Sequence, residues 1–446
     1  MKPVLFVTGH APPDRVGAFA ALHERETIEV ALYGGRSLHG PSVPGTGVPG
    51  TGVPGGRRKP PGATPPAELP FPHRHVRQQE TARLARSGSY RAVVCSTGGR
   101  VALPYTWAGA RRGGVPLILW ASLWAHPRSA SHMLSYPALR ALYRSADAVV
   151  TYGPHVSAYV RARGARNVHV APQSVDNAFW SAPVTARPSD PAWPGEAKLK
   201  FVFAGRPDRE KGVGALIRAW QRSDLHDYAS SAALVLVGVG SSPPWVPPGG
   251  AVDLSHGVDS PCGVSLPGVG VDPPEVDLPS DRAGHRWRGW RQRAHRTGGQ
   301  SRADRAETMR GPAGVSCIAP VSAERLREMY ADADVLVVPS IRTRTFREPW
   351  GLVVNEAMNR GLATIASDAV GAVAGGLVRD GHNGLVVPAG DSGALADAMA
   401  RLASDPELRA RLGAAGARDV GAYTHEAWAA GFSEALATVG LSRTRC

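Results

Sequence analysis

Cysteine is scarce. The 446 residues hold four, Cys95, Cys262, Cys317 and Cys446, in unrelated contexts. With no Cys-x-x-Cys spacing among them, neither a disulfide framework nor a thiolate zinc site is indicated, and a reducing cytoplasm is the default compartment. Long apolar runs are missing as well. No stretch approaches the roughly twenty apolar residues that cross a bilayer. The opening MKPVLFVTGHAPP has an apolar run too short and too early for a signal peptide, so it reads as a first strand. Acids are outnumbered, 37 against 51 Lys and Arg, for a net charge of +14. That balance favours anionic partners, without choosing between nucleotide sugars, anionic lipid head groups and nucleic acid.

What is plentiful is glycine (52) and proline (39), concentrated in particular segments. Between residues 40 and 66 the unit Val-Pro-Gly-Thr-Gly repeats, with little apolar surface to offset the cost of ordering it. It is expected to be a disordered insertion in a surface loop. A second interruption, 241–312, contains a Val/Pro/Gly tract and an Arg-rich run around Trp287 and Trp290. Trp among arginines suits base stacking, although arginine-rich low complexity is the duller account of the same run.

Elsewhere the chain alternates short apolar runs with longer amphipathic segments. Residues 4–8, 28–33, 92–95, 116–120, 148–151 and 168–170 read as strands, the pattern of a parallel sheet covered by helices on both faces. The loop from Gly9 to Gly17 is expected to precede a helix starting near Ala18. A helix from Ser129 to Ser145 is expected to break or restart at Pro137. A Pro-rich linker, 183–196, precedes a second alternation opened by 199–205 and 233–238.

The chemistry concentrates in residues 339–391. After the buried run 334–338 comes a loop with Glu348-Pro-Trp-Gly351, then a helix-like segment from Leu352 to Asn359 that carries Glu356. Pro349 fits a first helical turn. Eight helical residues rise about 12 Å, whereas paired glycosidase carboxylates lie roughly 5 to 9.5 Å apart. The spacing therefore suits an elongated ligand touched at each end, with phosphates near the helix start. Upstream, Gly205-Arg206-Pro-Asp-Arg-Glu-Lys211-Gly212 places two cations between a strand and a helix, an anion trap in which Arg forks onto phosphate oxygens and Lys adds a compact charge.

Glu348 and Glu356 resemble the Glu-x7-Glu signature of retaining GT-B-fold glycosyltransferases of family 4 (glycosyl transferases group 1), actinobacterial-like. The context extends the resemblance: Glu-x-x-Gly, Glu-Ala-Met, Ala-Ser-Asp, Gly371 and Asp380-Gly-His-Asn-Gly-Leu-Val-Val. Gly-Arg-x4-Lys-Gly is kept in full at 205–212. The segment from Pro172 to Phe179 is similar to the family's Pro-Asn-Gly-Val-Asp-x-x-x-Phe, with Gln173 and Ser174 replacing Asn-Gly.

The resemblance implies an α/β, GT-B fold of two Rossmann-like domains facing a cleft. Residues 1–182 would be the acceptor domain, 197–422 the nucleotide-sugar domain, and 423–446 a terminal helix and tail, with the two insertions above. Arg206 and Lys211 would stabilise the departing diphosphate. Glu348 would bind sugar hydroxyls and Glu356 the ribose. Gly205 and the backbone of Gly351, Leu352 and Val353 would hold sugar and phosphate. Gly17 stands where relatives approach the diphosphate, and His126, on the loop after the fourth strand, is the candidate for a histidine near the sugar.

No metal and no cofactor is implied beyond a nucleotide-diphosphate sugar as donor, since no Asp-x-Asp lies in a suitable loop. The acceptor, whether glycan, lipid or small molecule, stays open. A cytoplasmic location is expected, with peripheral contact at the anionic inner membrane face through the basic 129–145 helix as an open partner. The rival functions are a GT-B epimerase or phosphorylase and a non-catalytic nucleic-acid-binding protein. Nucleic acid is the disfavoured partner.

Overall fold

The computed structural model describes residues 2–34, 69–184, 192–193, 197–223, 225, 232–240, 309–310 and 314–440. The Val-Pro-Gly-Thr-Gly repeat, most of the 183–196 linker, the Arg/Trp run, Cys262 and Cys446 lie outside the described residues.

The first half is a seven-stranded parallel sheet. Its strands are β1 (Val4–Thr8), β2 (Ile28–Leu32), β3 (His73–His75), β4 (Ala92–Ser96), β5 (Leu117–Ala121), β6 (Ala148–Thr151) and β7 (Val168–Val170), in spatial order β3-β2-β1-β4-β5-β6-β7. Its helices are α1 (Pro13–Glu26), α2 (Thr81–Ala85), α3 (Ala102–Gly113), α4 (Ala130–Ser145), α5 (Pro154–Arg161) and α6 (Asn177–Ser181). β1, β5 and β6 are buried at every position, because helices cover both faces of the sheet.

The second half has helices α7 (Val213–Arg222), α8 (Ala323–Asp332), α9 (Val353–Met358), α10 (Gly371–Ala374), α11 (Ser392–Ser404), α12 (Pro406–Asp419) and α13 (His425–Thr438). Its strands are β8 (Leu199–Ala204), β9 (Ala232–Val237), β10 (Met309–Arg310), β11 (Val315–Ile318), β12 (Val335–Val338), β13 (Ala363–Ser367) and β14 (Leu385–Val387). They order as β10-β11-β9-β8-β12-β13-β14, parallel except for β10.

Four local expectations need correction. β3 was not foreseen: its polar His-Arg-His sequence has no apolar run, and backbone pairing with Val30–Leu32 holds it at the sheet edge. Met309 and Arg310, assigned to the second interruption, instead pair antiparallel with Cys317 and Ser316. α1 begins at Pro13 rather than near Ala18, because proline is pre-set for a first helical turn. α4 runs unbroken through Pro137. Proline removes one helical hydrogen bond, the one to the Met133 carbonyl, and Met133 lies on the exposed side of the helix, 60% exposed.

The last helix returns to the first sheet. Trp428 of α13 meets Phe19 at 5.6 Å and Trp120 at 5.7 Å, edge to face, and packs at a tilt against Phe432 of its own helix at 4.5 Å. This aromatic cluster also contains Phe6 of β1.

Among the parallel strands of each sheet the order reverses once, between β1 and β4 and between β8 and β12. Loops leaving the carboxyl ends at such a reversal form the natural ligand crevice of an open parallel sheet. The loops after β8 and β12 carry Arg206, Lys211 and Glu348. Topology therefore gathers residues far apart in sequence.

Candidate active site

Gly205 closes β8, and a short turn then returns the chain to α7. Gly212 fixes that turn. Its φ is +72°, and a Cβ there would lie 1.8 Å from the Pro339 carbonyl oxygen, so only glycine lets this loop rest on the end of β12. Lys211, next to it, is thereby aimed at the second loop. Its Nζ donates to Glu348 Oε2 at 2.5 Å, with the two side chains 7% and 4% exposed. Ser340 Oγ donates to the same carboxylate oxygen at 3.4 Å. Removing one partner of such a buried ion pair strands the other charge, at a cost of about 3–5 kcal/mol. Arg206, on the same loop, turns instead to Asp208, Nη1 to Oδ2 at 2.9 Å, with its side chain 28% exposed.

Glu348 bridges to Val370, and Gly351, Leu352 and Val353 form the buried turn into α9. Glu356 then sits inside that short helix, buried, and accepts from Tyr330 Oη at 3.3 Å. Burial, and next the charge of Asp14, push its carboxyl up to about 8; the Tyr330 hydrogen bond offsets part of this. Asp14 belongs to α1, so the second acid of the pair is electrically linked to the first half. Burial raises the Asp14 carboxyl as well, against the pull of Arg15.

Other links join the halves. Asn355 Nδ2 donates to the Gln173 carbonyl at 3.0 Å, Asn359 Nδ2 to Asn177 Oδ1 at 2.9 Å and Arg360 Nη1 to the Ala182 carbonyl at 2.7 Å. Within the first half, Arg15 Nη2 donates to Gln173 Oε1, whose backbone carbonyl takes the Asn355 bond, and its guanidinium lies against the rings of Trp120 and Tyr152.

Lys211 and Glu348 are in direct contact, with Arg206 on the same loop and Glu356 two turns of chain beyond Glu348. His126 and Gly17 are placed differently. His126 Nε2 donates to the His132 carbonyl at 3.0 Å while Nδ1 accepts from Tyr159 Oη at 3.2 Å, so both ring nitrogens are engaged on α4 and α5. Gly17 lies in the second turn of α1, not on the loop before it, and a Cβ there would come within 2.5 Å of the His425 ring. The side chain beside Glu348 from this side is Trp124, whose Nε1 donates to the Glu348 carbonyl at 3.0 Å. His155, at the start of α5, reaches the Pro349 carbonyl. Its place just past the carboxyl end of β6 was the one signal that could have flagged it.

Residues 298–419 match the family model of the glycosyl transferases group 1. A D-inositol 3-phosphate glycosyltransferase of Streptomyces bingchenggensis (strain BCW-1) is 39% identical over 101 residues, 22% of this chain and 20% of the relative. A phosphatidyl-myo-inositol mannosyltransferase of Mycobacterium leprae (strain TN) is 39% identical over 113 residues, 25% of this chain and 29% of the relative. The chain thus aligns with less than a third of the length of either relative.

Solved structures align over nearly the whole chain. Sucrose-phosphate synthase from Thermosynechococcus elongatus gives a TM-score of 0.61 at 16% identity, covering 99% of both chains. Anabaena HepE in complex with UDP and glucose gives 0.59 at 14%, covering 98% of this chain and 100% of its own. The chain carries a glycosyl transferases group 1 domain set in a GT-B fold of two Rossmann-like halves.

Proposed function

We propose that the protein is a retaining glycosyltransferase that moves a sugar from a nucleotide-diphosphate donor to an anionic acceptor. The observation that carries this is the buried Lys211–Glu348 pair at the reversal of the second sheet, with Arg206 on the same loop. Positive charge stands where a diphosphate would depart, and a carboxylate stands beside it to hold sugar hydroxyls. An incoming diphosphate competes for Lys211 and draws in Arg206 from Asp208. Glu356 takes the ribose hydroxyls, and the turn Gly351–Leu352–Val353 meets sugar and phosphate through its backbone.

The sugar–diphosphate bond breaks as the acceptor oxygen bonds on the same face, and the acceptor proton leaves on the departing phosphate. The two cations supply the charge for this step, so no added metal is needed. HepE was solved with UDP and glucose, which makes UDP-glucose the first donor to try.

Charge distribution supports an anionic acceptor at a membrane surface. Residues 81–146 hold nine arginines and no Asp or Glu, +9 of the chain's +14. The same segment carries Val101, Tyr105, Met133 and Leu134, four of the five large apolar side chains exposed among the described residues. The two relatives named above are a D-inositol 3-phosphate glycosyltransferase and a phosphatidyl-myo-inositol mannosyltransferase. No described helix is long and apolar enough to cross a membrane.

The test is nucleotide release from UDP-, GDP- and ADP-sugars, with and without a chelator. One donor should be turned over, chelator or not, and Glu348→Ala and Arg206→Ala should each lose about a hundredfold or more in kcat/KM. No release and no nucleotide binding at high protein concentration would end the enzyme reading.

A further inference from the structure

Two successive carbonyls on the loop that carries Glu348 are held by side chains of the other half. Trp124 Nε1 donates to the Glu348 carbonyl at 3.0 Å, and His155 Nε2 donates to the Pro349 carbonyl at 3.3 Å. The two donors brace one another, their rings edge to face at 5.3 Å. His155 also lies 6.0 Å from the Trp350 ring, and the Arg347 guanidinium covers Trp124 at 5.4 Å. Across the loop there is no slack: a Cβ at Gly371 would stand 2.0 Å from the Pro349 carbonyl oxygen.

A carbonyl only accepts, so His155 must carry its hydrogen on Nε2. Burial pushes the ring down to about 4, which keeps it neutral through the physiological range. Trp124 has one donor and no charge to lose. Neither side chain touches the carboxylate of Glu348; both hold the backbone from which it projects. Its other contacts, Lys211 and Ser340, come from the second half.

We propose that Trp124 and His155 are positioning residues for Glu348, a two-donor clamp through which the first half aims the carboxylate at the sugar. The inference deepens the proposed reaction and rests on it. It makes Glu348 competent only while the halves are engaged at this point. An error of about 1 Å in a group that orients substrate costs on the order of a hundredfold in rate.

The test separates aim from mere packing. Trp124→Phe and His155→Phe keep a ring and remove the donor, whereas His155→Gln keeps an N–H of similar reach. With the donor substrate found above, each Phe variant should lose at least about tenfold in kcat, with its donor KM within about twofold, and Gln should recover to within about threefold of wild type. In the ligand-free full chain, hydrogen exchange of amides 347–352 should quicken about tenfold in the double Phe variant, while β8 amides stay unchanged. A Gln variant as slow as Phe overturns the proposal. So does unchanged exchange at 347–352 in the double variant, and that result stands even if the wild type turns over no donor, which would count only against the transferase reading.

Discussion

Glu356 owes its charge state to its neighbours. Its carboxyl is buried, faces the charge of Asp14, and is held up to about 8 against an ordinary 4.5. The folded chain therefore favours the protonated acid. No penalty exists below about pH 4.5; it grows as pH rises toward 8 and is complete above that. A shift of this size corresponds to roughly 3–5 kcal/mol. Glu356→Gln, which cannot ionise, should match wild type in thermal melts near pH 4.5 and be clearly more stable at pH 8.5. Equal melting at both values would mean that the carboxylate is solvated in the folded chain. Arg206, Lys211, Glu348 and Glu356 could be picked out of the sequence because Gly-Arg-x4-Lys-Gly and Glu-x7-Glu, the second running from a loop into α9, resemble the family's signatures in their surrounding context. Trp124 and His155 could not, since they act on carbonyls 224 and 194 residues away and no local pattern encodes that contact.

Among elements, the central strands were legible because burial on both faces writes a continuous apolar run. β3 and β10 were not, since edge pairing needs only backbone groups. The turn between β8 and α7 lies between these cases: Gly-Arg-x4-Lys-Gly could be read, but the reason for its last glycine could not. Gly212 combines a left-handed φ of +72° with the Pro339 carbonyl 1.8 Å from any added Cβ. Gly88 shares that φ of +72° with nothing within 4 Å of the same position. Gly88→Ala should thus cost only the backbone term, about 1 kcal/mol. Gly212→Ala adds a clash with main chain and should cost roughly 3 kcal/mol or more, with nucleotide affinity falling as Lys211 is pushed aside. Denaturant midpoints of the pair isolate the clash, and equal losses would refute the close packing of this loop on β12.

At the scale of the whole molecule, the long interruption and the transferase scaffold can be separated by experiment. Residues 241–312 hold nine arginines but also eight acids, so the segment adds almost nothing to the net charge, whereas 81–146 supplies most of it. That weakens the nucleic-acid rival, which rested on the net charge together with the Arg/Trp run. The sheet is expected to tolerate removal of the segment. Gly238 and Gly240 both donate to the Ile318 carbonyl at 3.1 Å, and Met309 pairs with Cys317, so the flanking chain ends border β11 on either side. Two strand spacings are about 10 Å. Deleting 246–306 leaves seven residues, 241–245 and 307–308, to cross it, with a reach of roughly 23 Å. The deleted chain should fold and turn over its donor within about twofold of wild type. A folded deletion variant that still binds nucleotide but transfers no sugar would instead make the segment part of the acceptor site. Nucleic-acid affinity in the full chain that vanished on deletion would revive the rival.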